Sequence, residues 1–116
     1  MAEDLFDRAL ELVMDGGQTL LANGGEVFRV QQTMEIMAAS LGVQDFHVYV
    51  LTNGIFASAH LPGGESVSLV RHVPTVSIHL GRVEAVNELS RELAAGKLGV
   101  VEAEQKLAAA RALPRV

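Results

Sequence analysis

The stretch Phe46-His47-Val48-Tyr49-Val50-Leu51-Thr52-Asn53-Gly54-Ile55-Phe56-Ala57-Ser58-Ala59-His60-Leu61 decides the fold. On either side of it, apolar residues recur every three or four positions. Within it they are β-branched or aromatic and lie in short extended runs, which suits a pleated, half-buried surface. Asn53-Gly54 tolerates positive φ at both residues and is a strong short-range hairpin signal. The spacing therefore predicts strands over 46–51 and 55–61. Pro62-Gly63-Gly64 makes a second turn. Ser66-Val67-Ser68-Leu69-Val70 alternates polar and apolar, as a half-exposed third strand does. Pro74 donates no hydrogen bond to a ladder and limits that strand. Residues 75–78 are expected to add a short fourth extended piece.

Toward the N-terminus the period is helical. Leu5, Phe6, Ala9, Leu10, Leu12, Val13, Leu20 and Leu21 fall on one face, and Asn23-Gly24-Gly25 closes that helix as C-caps commonly do. Gly16-Gly17 lies inside the run, where it either kinks the helix or lets another backbone approach. Val27, Val30, Met34, Met37 and Leu41 form the stripe of a second helix that Gly42 ends. Toward the C-terminus, Val83, Val86, Leu89 and Leu93 form one stripe ended by Gly96. Val100, Ala103, Leu107 and Ala110 form another, ended by Pro114. The expected architecture is α+β: two helices, a three- to four-stranded antiparallel meander, then two helices, with the helices packed on the sheet. No repeat, low-complexity tract or linker interrupts residues 1–116, which are expected to form one soluble domain.

Composition narrows the function. The 116 residues are 49% hydrophobic but only 4% aromatic, so the core must be built from aliphatic side chains and Met. Net charge is -5 with no run of Lys or Arg, which argues against nucleic acid and against a polybasic membrane patch. Zero Cys excludes disulfides, thiolate metal sites and a Cys nucleophile. The acidic start Met1-Ala2-Glu3-Asp4 is unlike a secretory signal. No stretch reaches the ~18 apolar residues that span a bilayer. The mean hydropathy of +0.28 is high for a small domain and leaves apolar surface to be covered at an interface.

No catalytic motif stands out. His47, His60, His72 and His79 all fall in or beside the strands, where with Asp45 or Glu65 they could ligate a metal; no HxH or HExxH spacing supports this, and no metal or cofactor is expected. Ser58, Ser66, Ser68 and Ser77 lack a GxSxG elbow. Glu84, Glu88 and Glu92 recur as a solvated helix face does. Gly24-Gly25 reads as a helix-to-helix turn rather than an anion seat. Glu26 suits the start of the next helix, with Arg29 in reach of it as an ion pair. Arg29 is also a candidate organiser of a polar cluster against the sheet, with Thr33 and Glu35 nearby.

Residues 21–30, Leu-Ala-Asn-Gly-Gly-Glu-Val-Phe-Arg-Val, followed by Thr33-Met34 and Leu41-Gly42, resemble the N-terminal soluble region of the threonine/serine exporter family. Thr52-Asn53-Gly54-Ile55-Phe56 is similar to that family's Thr-x-Gly-Ile-Phe hairpin. Residues 83–93 are similar to its Val-Asn-x-Leu-Ser-Arg helix, and Gly96-Lys97, Glu102-Ala103 and Leu107 to the segment after it. The pieces are colinear over nearly the whole chain. Gln31 departs from the family, which usually has Glu there. Where the family's transmembrane helices begin, the chain reaches Leu113-Pro114-Arg115-Val116, so it is expected to be a piece of a longer exporter or one partner of a split system.

The resemblance implies a cytoplasmic accessory domain at the inner membrane, serving proton-gradient-driven export of small amino acids or dicarboxylates. Its partners would be the transmembrane portion of the exporter, a small amino acid and further copies of itself. Glu26, Arg29, Thr33, Thr52, Arg82, Asn87 and Arg91 are the candidate ligand or interface residues. Two other readings stay open: a small hydrolase acting on amino-acid derivatives, which needs a His beside a Ser or a carboxylate in a pocket, and a plain oligomerisation module.

Overall fold

Periodic aliphatic stripes set the helices. The computed structural model describes residues 2–74 and 77–114. Helix α1 (Ala2–Ala22) is followed by α2 (Val27–Ser40), strands β1 (His47–Leu51), β2 (Gly54–His60) and β3 (Ser66–His72), then α3 (Leu80–Ala94) and α4 (Val100–Arg111). The strands form one antiparallel sheet in the order β1-β2-β3, a meander. The expected fourth piece, 75–78, falls partly outside the described residues; Ser77 and Ile78 are in no strand.

One face of the sheet is buried. Val48 and Val50 of β1 and Ile55, Ala57 and Ala59 of β2 point into the core, while Tyr49 and Phe56 point outward. Helices α1 and α2 lie against the inner face, and α3 and α4 pack mainly on α1 and α2. The core joins Val13, Met14, Leu20, Val30, Met34, Met37, Val86, Leu89 and Leu107. Val83 and Val27, at the ends of their stripes, are half-buried, and Leu5 is exposed.

The glycine pair inside α1 does not interrupt the helix. A Cβ on Gly17 would lie 2.2 Å from Met34 Sδ, and one on Gly16 3.1 Å from Met37 Cε. Both glycines serve as seats for methionines of α2, a close approach rather than a kink.

The hairpin differs from expectation. Leu51 pairs with Gly54, so Thr52-Asn53 forms the turn and Gly54 opens the return strand. Neither Asn53 nor Gly54 has positive φ. A turn at 53–54 would shift the pairing by two residues and leave every side chain on the same face, so alternation cannot tell the two registers apart.

Arg71 lies on the inward face of β3, opposite Ile55. Its guanidinium reaches α1, bonding Asp15 Oδ1 at 2.7 Å, Gln18 Oε1 at 2.6 Å and Glu11 Oε2 at 2.7 Å. Asp15 also faces Arg111 of α4 at 3.8 Å. At the opposite edge Gln31 Oε1 accepts from the Val50 N–H at 3.3 Å, which blunts part of the free side of β1.

Candidate functional site

The turn between α1 and α2 is built by Asn23-Gly24-Gly25. An α-helix leaves its last four carbonyls without partners. Here Thr19 O accepts from Asn23 Nδ2 at 2.7 Å, Leu20 O from Gly25 N at 2.7 Å and Leu21 O from Gly24 N at 3.3 Å. Gly24 has φ +99°, which favours glycine, and its bare Cα faces Ile78. Glu26 then starts α2: its carboxylate accepts from Phe28 N at 3.0 Å and Arg29 N at 3.2 Å. Glu26 is a helix cap, and the expected ion pair with the Arg29 side chain is not formed. Among the described residues, the Arg29 guanidinium has no ion pair or hydrogen bond and stands exposed.

A hollow of about 160 Å³ opens beside this turn, between α2 and α3. Leu20, Val30 and Val83 give it an apolar floor, and Glu26, Arg29 and Asn87 supply polar groups. Thr33 Oγ1 makes a long contact of 3.5 Å with Asn87 Oδ1. Glu26, Arg29, Thr33 and Asn87 thus come together, but against α3 rather than against the sheet as expected. Glu35 is exposed on α2 and lines no part of the hollow.

Arg82 lies close by with a different task. Its Nε and Nη2 donate to Leu113 O at 3.2 and 2.8 Å, and Nη1 to Asn23 Oδ1 at 3.3 Å. A cation there also suits the C-terminal end of α4. His79 caps α3: Nδ1 accepts from Arg82 N at 3.1 Å, which leaves Nε2–H to donate to Pro114 O at 3.0 Å. Asn23 O accepts from His79 N at 2.9 Å. Asn23, at 6% exposure, is therefore the buried hub of this end of the molecule, and sequence reading gave it only a capping role.

Thr52 and Arg91 do not join the cluster. Thr52 is exposed at the hairpin turn, and Arg91 pairs with Glu88 of its own helix at 2.7 Å.

The histidines gather only in part. Asp45, with φ 52°, places Oδ1 2.8 Å from His47 Nε2 and Oδ2 2.6 Å from His60 Nδ1. The hydrogen bond from His47 is the main cause that holds the Asp45 carboxyl below its usual range, with the charges of His47 and His60 adding to it. The three groups are exposed, and among the described residues no set of three His, Asp or Glu is arranged to hold a metal. Nor, among them, does a Ser hydroxyl bond to a histidine ring. Two larger hollows lie near the β2–β3 turn, beside Leu61; His60 lines one, and its Nδ1 bonds to Asp45.

A lowered carboxyl pKa stabilises the fold above the unfolded value, near 3.9, and that contribution fades as pH falls through the folded one. Asn tolerates the same positive φ, so Asp45→Asn isolates the charge. The thermal midpoint of Asp45→Asn is expected to lie slightly below the parent's at about pH 6, with the gap closing as the solution is acidified toward pH 3. A gap that persists to acid would rule the carboxylate out as its source.

The fold and site define a helix-flanked three-stranded module with a small charged hollow. Among the described residues, no helix is long and apolar enough to cross a membrane. The family model ThrE, described as "Putative threonine/serine exporter", matches residues 11–115. The chain belongs to the threonine/serine exporter family. Searches of the curated proteins and of the solved structures found no match.

Proposed function

We propose that this chain is the accessory domain of a threonine/serine exporter, regulating export from the cytoplasmic face of the inner membrane. Its membership in the exporter family carries the reading. On this reading it docks on the membrane-embedded portion of the exporter, in the same or a separate chain, and export draws on the proton gradient.

The hollow beside the α1–α2 turn is the regulatory site. Its chemistry suits a small amino-acid zwitterion. Arg29 offers an uncommitted guanidinium to a carboxylate, and Glu26 keeps lone pairs for an ammonium after its two capping bonds. Asn87 adds an amide, and the floor of Leu20, Val30 and Val83 takes a short side chain. The volume of about 160 Å³ admits threonine or serine. Phe28 and Ile78, 78% and 73% exposed at the ends of the surrounding elements, supply apolar surface for the membrane-embedded partner.

Arg29→Ala in the assembled exporter should reduce threonine export about tenfold, the worth of one charge-assisted hydrogen bond or more. Threonine should raise the thermal midpoint of the isolated chain, and Arg29→Ala should abolish that rise. Circular dichroism of the variant should be unchanged, because Arg29 is exposed and unpaired among the described residues. Unchanged export in a folded variant would remove Arg29 from the function. Lost export with threonine binding intact would make the site a docking surface instead.

A further inference from the structure

The outer face of the sheet is left bare. The register aligns Tyr49 of β1, Phe56 of β2 and Val70 of β3 in one row across the strands. These side chains are 68%, 43% and 68% exposed, and Leu51 beside them is 53% exposed. Together they leave on the order of 400 Å² of apolar surface uncovered, a large patch for a chain of this size.

Within the strands themselves, the rest of that face carries no formal charge. Apart from these four residues, its outward strand positions from His47 to His72 hold only Ser, His and Gly54. Arg71, the one charged residue within β1–β3 among the described residues, turns inward to α1. Asp45, two residues before β1, is held by His47 and His60, and Glu65 lies one residue before β3.

We infer that this face is where two copies of the chain meet. The argument is one of charge and symmetry. The chain carries a net charge of -5, so contact between two copies costs least where the touching surfaces add no close like-charge pairs. This apolar patch lies on a face that meets that condition. The row is also self-complementary. β1 and β3 flank β2 on either side, so a two-fold axis running along β2 past Phe56 sets Tyr49 of each copy over Val70 of the other. Aligned sheets pack about 10 Å apart with interdigitated side chains, which Tyr and Phe are long enough to fill. Two such faces with their Ser and His rims remove roughly 1,000–1,200 Å² from water, at the small end of specific interfaces. Association in the micromolar range is expected. The inference is independent of the amino-acid hollow, which lies on the far side of α2.

Sedimentation velocity on the chain from about 1 to 200 μM tests this directly. A monomer–dimer equilibrium is expected. Phe56→Glu places two carboxylates together near the axis and should raise the dissociation constant at least tenfold. Val70→Lys should do the same, and Val101→Glu, on exposed α4, should leave it unchanged. Circular dichroism should show all three folded. A monomer throughout the range would overturn the inference. So would self-association that survives both sheet substitutions, which would move the contact to the β3 edge or to the α2–α3 end.

Discussion

Gly25→Ala is expected to cost about 2–3 kcal/mol of stability and to lower the thermal midpoint by roughly 10 °C, as read by calorimetry or thermal circular dichroism. Removing a glycine from the unfolded chain by itself stabilises by about 0.4–1 kcal/mol where the backbone permits alanine. Gly25 does not have positive φ, so the backbone is no obstacle. Space is the obstacle. A Cβ would stand 2.8 Å from Leu20 O and 2.9 Å from Val30 Cγ2. The carbonyl cannot retreat, because the Gly25 N–H bonds to it at 2.7 Å. Overpacking against a fixed backbone outweighs the entropic gain, so the sign is a loss. Gly63, whose surroundings are open, offers the contrast: alanine there should stabilise by up to about 0.4–1 kcal/mol. Equal effects at the two positions would refute the close-approach account of this turn.

Asn23→Ala is expected to cost about 2–3 kcal/mol, measured by denaturant unfolding at constant m-value. The amide makes two side-chain bonds, to Thr19 O and from Arg82, and is almost fully buried. Truncation leaves a helix carbonyl without its donor and takes one acceptor from a guanidinium, and bonds to charged groups are worth more than neutral ones. Asn23→Asp should not rescue. It keeps an oxygen for Arg82 but sets a carboxylate against the Thr19 carbonyl in place of a donor. If aspartate restored stability fully, the Thr19 bond would be dispensable and Asn23 would matter only through Arg82.

How much of this was legible in the sequence differs by level. The helices followed from stripes such as Val30, Met34 and Met37, because a 3.6-residue period admits few other readings. The meander followed from β-branched runs punctuated by Gly and Pro. Ambiguity stayed where the signal is local but the answer is not. Gly16-Gly17 could have meant a bend; only the packing of Met34 and Met37 shows a seat. The hairpin turn slipped because a shift by two preserves sidedness. The polar residues were hardest. Glu26, Arg29, Thr33 and Asn87 gather because the α1–α2 turn folds onto α3, a pairing that no spacing encodes. Thr52 and Arg91 came from the same motif order and stand elsewhere. Asn23, His79 and Arg71 were missed as organisers, because one side chain bridging distant elements leaves no periodic trace.

Arg82 grips a single carbonyl, Leu113 O, with two nitrogens while a third holds Asn23. The last helix is thereby latched to the end of the first. Tension applied past Pro114 would load that latch before it reached the aliphatic interior, and would be delivered to the very turn that frames the hollow. Thermodynamic reciprocity then runs both ways: whatever braces the turn stiffens the latch, and whatever pulls the latch open loosens the grip at the turn.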